Sequence, residues 1–202
     1  MVDFFVQGGG FMWPILIALL FGLAIIGERA YSLINSSSNT DQFFDDVKTI
    51  YDDSGKEQAI EFCENTQGPV ASIFYAGLSK MEKTKEEIEK AVQNAGGLEM
   101  AFLEKNMIWI NSVITIAPML GFTGTVVGMI KAFEDIKMAN DISPAVVAGG
   151  ISQALLTTAF GLIVAMIMQV AQNFFVSMID KLILDMEEQS IKIVEYLHSS
   201  KK

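Results

Sequence analysis

Three long stretches of this 202-residue chain contain no charged side chain. They cover residues 4–27, 106–130 and 142–179 and are 24, 25 and 38 residues long. An apolar helix needs about 20 residues to cross the hydrocarbon core of a bilayer, so each stretch is long enough to span it. Between residues 28 and 105, charges interrupt the apolar positions every few residues, as on helices with one wet face. The pattern predicts an all-α membrane protein with three transmembrane helices.

The third stretch is too long for the bilayer alone. As a helix it would reach about 57 Å, so it is expected to leave the lipid near Gln172 and continue as one helix. The predicted transmembrane helices cover residues 11–30, 106–130 and 142–173. The N-terminus at 1–10 and the loop at 131–141 are expected on the outer side, and the helical region at 31–105 and the C-terminal helix at 174–202 in the cytoplasm.

Short helices are predicted within the 31–105 region. Ser54 with Glu57, and Thr84 with Glu87, have the spacing of a capping box, which marks a helix N-terminus. From Thr84 onward the pattern is amphipathic, and the helix is expected to run without a break into the second transmembrane helix.

The distribution of basic residues predicts the orientation in the membrane. With the N-terminus outside, twelve of the fourteen lysines and arginines lie on the inner side and only Lys131 and Lys137 lie outside. Arg29 and Lys105 stand directly at the ends of two spans, where the positive-inside bias acts most strongly. We therefore expect a multi-pass membrane protein with its N-terminus outside and its C-terminus in the cytoplasm.

The composition narrows the function classes. Apolar residues make up 51% of the chain, charged residues 19%, and the net charge is −10, which argues against a soluble enzyme and a nucleic-acid binder. Cys63 and His198 are the only residues of their types, so neither an intrachain disulfide nor a histidine metal cluster or catalytic triad can form. Neither an enzyme activity nor a bound cofactor or metal is expected.

Small and hydroxyl-bearing residues occupy one side of each of the last two spans. At 100° per residue, an arc of about 140° on the third span holds Gly150, Gln153, Ala154, Thr157, Thr158, Gly161 and Ala165. On the second span, an arc of about 100° holds Gly121, Gly124, Thr125 and Gly128. Both arcs have the small-xxx-small spacing that lets helices approach closely. Pro118 is expected to kink the second span.

Two interpretations of these arcs remain open. They could serve only to pack helices, with Gly121, Gly124, Gly128, Gly150, Ala154 and Gly161 at the contact. Alternatively, Thr125, Thr157, Thr158 and Gln153 line an ion passage, because hydroxyl and amide oxygens bind water or cations without a buried charge. No Asp, Glu, Lys, Arg or His lies inside the three uncharged stretches 4–27, 106–130 and 142–179, and membrane proton relays require ionisable side chains. A proton path would therefore need a titrating group from another polypeptide.

The segments 117–130 (APMLGFTGTVVGMI) and 150–162 (GISQALLTTAFGL), with Gly27-Glu28-Arg29, resemble the MotA/TolQ/ExbB proton-channel family. Three spans resemble its ExbB/TolQ branch. The resemblance implies a pentameric ring in the bacterial inner membrane, so that the outer segments 1–10 and 131–141 lie in the periplasm. The ring surrounds the helices of a single-span ExbD- or TolR-like partner, which carries a membrane aspartate. The ion-passage positions of the family map onto Thr125 and Thr158. Gln153 departs from the pattern, because many ExbB members carry a glutamate there.

The resemblance also implies that the proton motive force drives movement, which is passed to a TonB-type periplasmic protein or to the Tol–Pal system. A sodium-driven member of the same family is one alternative, since hard cations favour oxygen ligands. A non-conducting membrane scaffold is another, in which the arcs only pack helices. A flagellar-type stator would need a fourth span, for which the sequence has no room.

Overall fold

The computed structural model describes residues 2–36, 40–139 and 144–199, and in these ranges the chain forms helices and no strand. The helices are α1 (Val2–Gln7), α2 (Met12–Ser36), α3 (Thr40–Ser54), α4 (Lys56–Asn65), α5 (Pro69–Ser79), α6 (Lys85–Leu103), α7 (Met107–Ala139) and α8 (Pro144–Ser199). Three segments of the described residues are long and apolar enough to cross a membrane: Met12–Ser36 (α2), Lys85–Met138 (α6 and most of α7) and Val147–Ser199 (most of α8). These findings confirm the prediction of an all-α protein with three long apolar helices.

The observed helices differ from the predicted segments at the 131–141 loop, at the N-terminus and at the end of the first span. The predicted 131–141 loop is helical as far as Ala139, because α7 continues past residue 130; residues 140–143 lie outside the described ranges. Ala132 is buried in this extension and packs on Gly150, so a tertiary contact supports helix where the charges suggested a loop. The 1–10 segment contains the short helix α1, and α2 extends six residues beyond residue 30.

The predicted continuous helix from Thr84 into the second span is wrong, because a turn at Glu104–Asn106 separates α6 from α7. Asn106 has a φ of 65°, the left-handed conformation that asparagine tolerates better than most side chains. Its side-chain amide donates to the Glu28 carboxylate at 3.2 Å. A residue in this conformation cannot continue the right-handed helix, so α7 begins anew at Met107.

The chain divides into two compact units. We call Met1–Glu28 with Asn106–Phe174 the apolar unit, and Arg29–Lys105 with Phe175–Lys202 the polar unit. In the apolar unit, α2 packs on α7 and α8 at Gly22, where a Cβ would lie 2.5 Å from Sδ of Met168 and 3.5 Å from a methyl group of Val113. Bulky side chains such as Phe122 and Leu155 are exposed on this unit, as expected of helices that face lipid.

The polar unit is built around phenylalanine rings and a polar contact between α3 and the end of α8. Phe43 stacks on Phe62 and lies 5.4 Å from Phe74 between ring centroids. Lys192 Nζ lies 2.8 Å from Asp41 Oδ1, and its hydrogen bond and charge lower the pKa of Asp41. Because the folded pKa is depressed, this contribution to stability is present at neutral pH and is lost as the pH falls through that value.

The N-termini of α4 and α6 test the two predicted capping boxes. Thr84 and Glu87 form the predicted capping box, and the hydrogen bonds from Thr84 lower the pKa of Glu87. The box predicted at Ser54 and Glu57 is wrong: α3 runs through Ser54, and Gly55 is the N-cap of α4 without a side-chain hydrogen bond. A φ of 88° at Gly55 explains the difference, since glycine reaches this conformation without strain.

Arg29 is a buried charge in the polar unit, with 1% of its surface exposed. Its Nη1 donates to the carbonyl oxygens of Phe102 and Leu103, each at 3.5 Å. These carbonyls belong to the last turn of α6, where the helix dipole favours a cation. The Phe102 carbonyl also accepts from the backbone N–H of Lys105 at 3.2 Å. Arg29 therefore caps the C-terminus of α6.

Cys63 is buried in the polar unit, and this burial raises the pKa of its thiol to about 12. The thiol stays protonated at physiological pH and is a poor nucleophile. Its environment agrees with a structural role.

Candidate ion pathway between α7 and α8

The small residues of α7 and α8 face one another within a single chain. A Cβ on Gly161 would lie 2.5 Å from the carbonyl oxygen of Ala117, and one on Gly121 would lie 2.9 Å from that of Thr157. Backbone atoms cannot move aside as the end of a flexible side chain can. The two helices therefore approach this closely only because both positions lack a side chain.

The contact extends along both helices toward the end of α7. A Cβ on Gly128 would lie 3.2 Å from Cβ of Ala154, and one on Gly150 would lie 3.4 Å from Cα of Ala132. Gly124 faces the side chain of Thr157. The structure thus places Gly121, Gly124, Gly128, Gly150, Ala154 and Gly161 along the same α7–α8 contact. Sequence reasoning omitted Ala117 and Ala132, although both continue the small-residue spacing of α7.

The hydroxyl groups of Thr125 and Thr158 meet beside this contact. They are hydrogen-bonded to each other, and both side chains are half-buried. Thr125 Oγ1 also lies 2.9 Å from the carbonyl oxygen of Ala154, and Thr158 Oγ1 lies 3.1 Å from that of Gly121. Each hydroxyl has one proton to donate and two lone pairs that accept. The two protons are therefore fewer than the nearby acceptors, which are the two hydroxyl oxygens and the carbonyl oxygens of Ala154 and Gly121. The bonds can therefore switch between partners and leave oxygen lone pairs for a water or a cation.

Thr157 occupies a different environment from its neighbour. Only 1% of its surface is exposed, and its hydroxyl donates to the carbonyl oxygen of Ala154 at 2.7 Å. It lies within the α7–α8 contact against Gly124. The structure thus separates Thr157 from the predicted passage residues Thr125 and Thr158, because consecutive helix positions point about 100° apart.

Gln153 also lies apart from the threonine pair. Its amide packs on Gly9, in the turn between α1 and α2, where a Cβ would lie 3.0 Å from Cδ of Gln153 and closer still to Nε2. The run Gly8-Gly9-Gly10 was a sequence signal for such a close approach, which sequence reasoning did not use. Pro118 lies inside α7, which stays helical around it, and the predicted kink stays a prediction.

Comparisons with known proteins agree on one family. Residues 65–188 match the model of the MotA/TolQ/ExbB proton channel family. An ExbB-like biopolymer transport protein of Synechocystis sp. is 28% identical over 188 residues, which cover 92% of this chain and 90% of that protein. An ExbB homolog of Methanothermobacter thermautotrophicus is 28% identical over 89% of this chain and 64% of its own length.

A third relative is TolQ of the Tol-Pal system of Pseudomonas aeruginosa, 28% identical over 52% of this chain and 51% of TolQ. The matched region thus spans almost all of one relative and between a half and two thirds of the other two. The family match includes all of the α7–α8 contact and most of both helices. With its three long apolar helices, the chain is a multi-pass inner-membrane protein that belongs to the ExbB/TolQ-like branch of the MotA/TolQ/ExbB proton channel family.

Proposed function

We propose that this chain is the ring-forming subunit of a proton-driven energy transducer. Five copies surround the membrane helices of a single-span ExbD- or TolR-like partner, with the N-terminus of each copy in the periplasm and the C-terminus in the cytoplasm. Protons pass Thr125 and Thr158 on their way to and from an aspartate of the partner. The observation that carries this proposal is the hydroxyl pair of the apolar unit, which joins two stretches without an ionisable side chain, residues 106–130 and 142–179.

The uncharged stretches of this chain lack a titratable side chain, so the partner has to supply it. A proton crossing the hydrocarbon core needs a titratable side chain, and the spans of this chain offer only hydroxyl, amide and carbonyl groups. These groups can hold water beside a carboxylate without titrating themselves. The partner's aspartate becomes neutral when it is protonated and charged when it releases the proton. Its two states contact the ring differently, so proton flow biases movement of the partner relative to the ring.

The relatives indicate which processes this movement serves. Two of them are named for biopolymer transport and one for the Tol-Pal system. We assign the chain to the same general role, in which energy from the inner membrane reaches the periplasm or the outer membrane through a TonB- or Tol-type protein.

Thr158→Val tests the assignment, because valine keeps the shape of threonine and removes the hydroxyl. In the assembled complex we expect energy-dependent uptake or envelope integrity to fall roughly tenfold, the effect of an unmet polar requirement along the ion path. Thr158→Ser, which keeps a hydroxyl, should retain most of the function. Thr123→Val is the matched control, because Thr123 is exposed and donates to the carbonyl oxygen of Met119 in its own helix.

A non-conducting scaffold is the second candidate, and the close α7–α8 contact favours it. Within one chain, the two small-residue arcs already have a packing role. If Thr158→Val assembles normally and keeps full function, the hydroxyl pair has no part in ion passage and the scaffold is the better account. Loss of function with Thr158→Val but not with Thr123→Val excludes it.

A further inference from the structure

The turn between α1 and α2 packs on the same pair of helices as the hydroxyl groups. Gly9 has a φ of 75°, a backbone conformation that favours glycine, and its Cα surface is covered by the amide of Gln153 on α8. A side chain at position 9 would displace that amide and would be strained by the positive φ. The turn therefore contacts α8 at one point, where the backbone of Gly9 packs against the side-chain amide of Gln153.

A second contact fixes the turn on α7. A Cβ on Gly124 would lie 3.1 Å from Cβ of Phe11 and 2.7 Å from Oγ1 of Thr157. Next along the chain, Met12 is 1% exposed and packs over Gly8. The turn is thus held on α7 through Phe11 and on α8 through Gly9, so it bridges the two helices.

The bridged positions adjoin the hydroxyl pair. Gly124 precedes Thr125, and Thr157, which shares the contact with Gly124, precedes Thr158. Gln153 lies about one helical turn from Thr157 on α8. A shift of the turn would therefore change the separation of α7 and α8 at the level where the two hydroxyls meet.

We infer that the turn between α1 and α2 is a strap that holds α7 and α8 at this separation through the contacts of Gly9 and Phe11, and that Gln153 is a positioning residue that anchors the strap. Gln153 does not line the ion path; it acts through the strap on Thr125 and Thr158. The significance of the strap for ion passage rests on the proposed function, but its effect on the helix spacing does not. The two can therefore be tested separately.

A disulfide between positions 125 and 158 measures the spacing directly. The two hydroxyl oxygens are in contact, so cysteine sulfurs in their places lie within bonding reach. Thr125→Cys and Thr158→Cys are introduced into the full chain with Cys63→Ala, in membranes with its partner. The rate of cross-linking under a mild oxidant is followed by mass spectrometry of the joined peptides.

In this background, Gly9→Ala and Gln153→Ala are each expected to slow cross-linking roughly tenfold, because each releases the turn from α8. The double variant should be no slower than the slower single variant, since both remove the same contact. Gly10→Ala is the matched control and should cross-link at the parental rate, because a Cβ on Gly10 meets nothing within 4 Å.

Equal rates for Gly9→Ala, Gln153→Ala and the parent overturn the strap. Multiplicative effects in the double variant overturn the role of Gln153 as its anchor. Neither outcome depends on ion flow. Slower cross-linking combined with full function of Thr158→Val would keep the strap and reject the proposed function. Unchanged cross-linking combined with loss of function in Thr158→Val would reject the strap and keep the proposed function.

Discussion

Gly161→Ala is expected to separate α7 from α8 and to destabilise the protein by about 1–3 kcal/mol, the usual cost of overpacking a close contact. The new methyl group would lie 2.5 Å from the carbonyl oxygen of Ala117 and 3.2 Å from Cα of Gly121. Both are backbone atoms, so only a movement of the helices can make room. Because the hydroxyls of Thr125 and Thr158 meet beside this contact, their hydrogen bond should be lost together with the packing.

The measurement is the thermal unfolding of the purified protein in detergent, followed by circular dichroism, with assembly followed by mass. Gly149→Ala is the matched control, since it makes the same change on the same helix at a position where a Cβ meets nothing within 4 Å. Alanine has a higher helix propensity than glycine, so this control should be neutral or slightly stabilising. Equal melting temperatures for the two variants would contradict the close α7–α8 contact.

Arg29→Met is expected to destabilise the polar unit by about 1–3 kcal/mol, because it leaves the buried carbonyl of Leu103 without its guanidinium donor and removes the same donor from the part-buried carbonyl of Phe102. Methionine keeps the apolar length of the side chain and loses the guanidinium that lies on the carbonyls of Phe102 and Leu103. The last turn of α6 should fray, and the peptide bonds around residues 102–106 should be cut faster by protease.

Hydrogen exchange and limited proteolysis of the 98–110 segment measure this effect. Lys105→Met removes a charge only two residues beyond Leu103, but its side chain is exposed, so this control should leave exchange unchanged. If Arg29→Met exchanges no faster than Lys105→Met, the capping role of Arg29 is wrong.

The spans could be predicted because lipid imposes a simple rule: about 20 residues without charge. The extension of α7 to Ala139 could not, because Lys131, Glu134, Asp135 and Lys137 have the composition of a loop. Charge density reports exposure to water and not backbone conformation. The helical extension of α7 is stabilised by the burial of Ala132 against Gly150, a contact between residues 18 positions apart.

The turn at Glu104–Asn106 escaped prediction for a similar reason. No glycine or proline marks it, and Asn106 alone is a weak signal. The carbonyls of Phe102 and Leu103, which a continuous helix would use within itself, accept from Arg29, more than 70 positions earlier in the chain. The local sequence pattern around residue 104 cannot reveal that a side chain so distant in the chain donates to these carbonyls.

The candidate site was predictable as an arc but not in its detail. Helical geometry placed Thr125, Thr157 and Thr158 on the small-residue sides of α7 and α8. It could not show that Thr157 points into the contact while Thr158 meets Thr125. That difference depends on how the two helices are rotated against each other, which the backbone contacts at Gly121 and Gly161 determine.

In the proposed function, this chain supplies an uncharged wall and a partner supplies the titrating carboxylate. Ion flux into liposomes tests this division between the two proteins. Vesicles in sodium-free buffer would contain a pH-sensitive dye and either the chain alone, the chain with its single-span partner, or the chain with a partner whose membrane aspartate is changed to asparagine. We expect proton flux for the second preparation only. Flux through the chain alone at the rate of the full complex would contradict it.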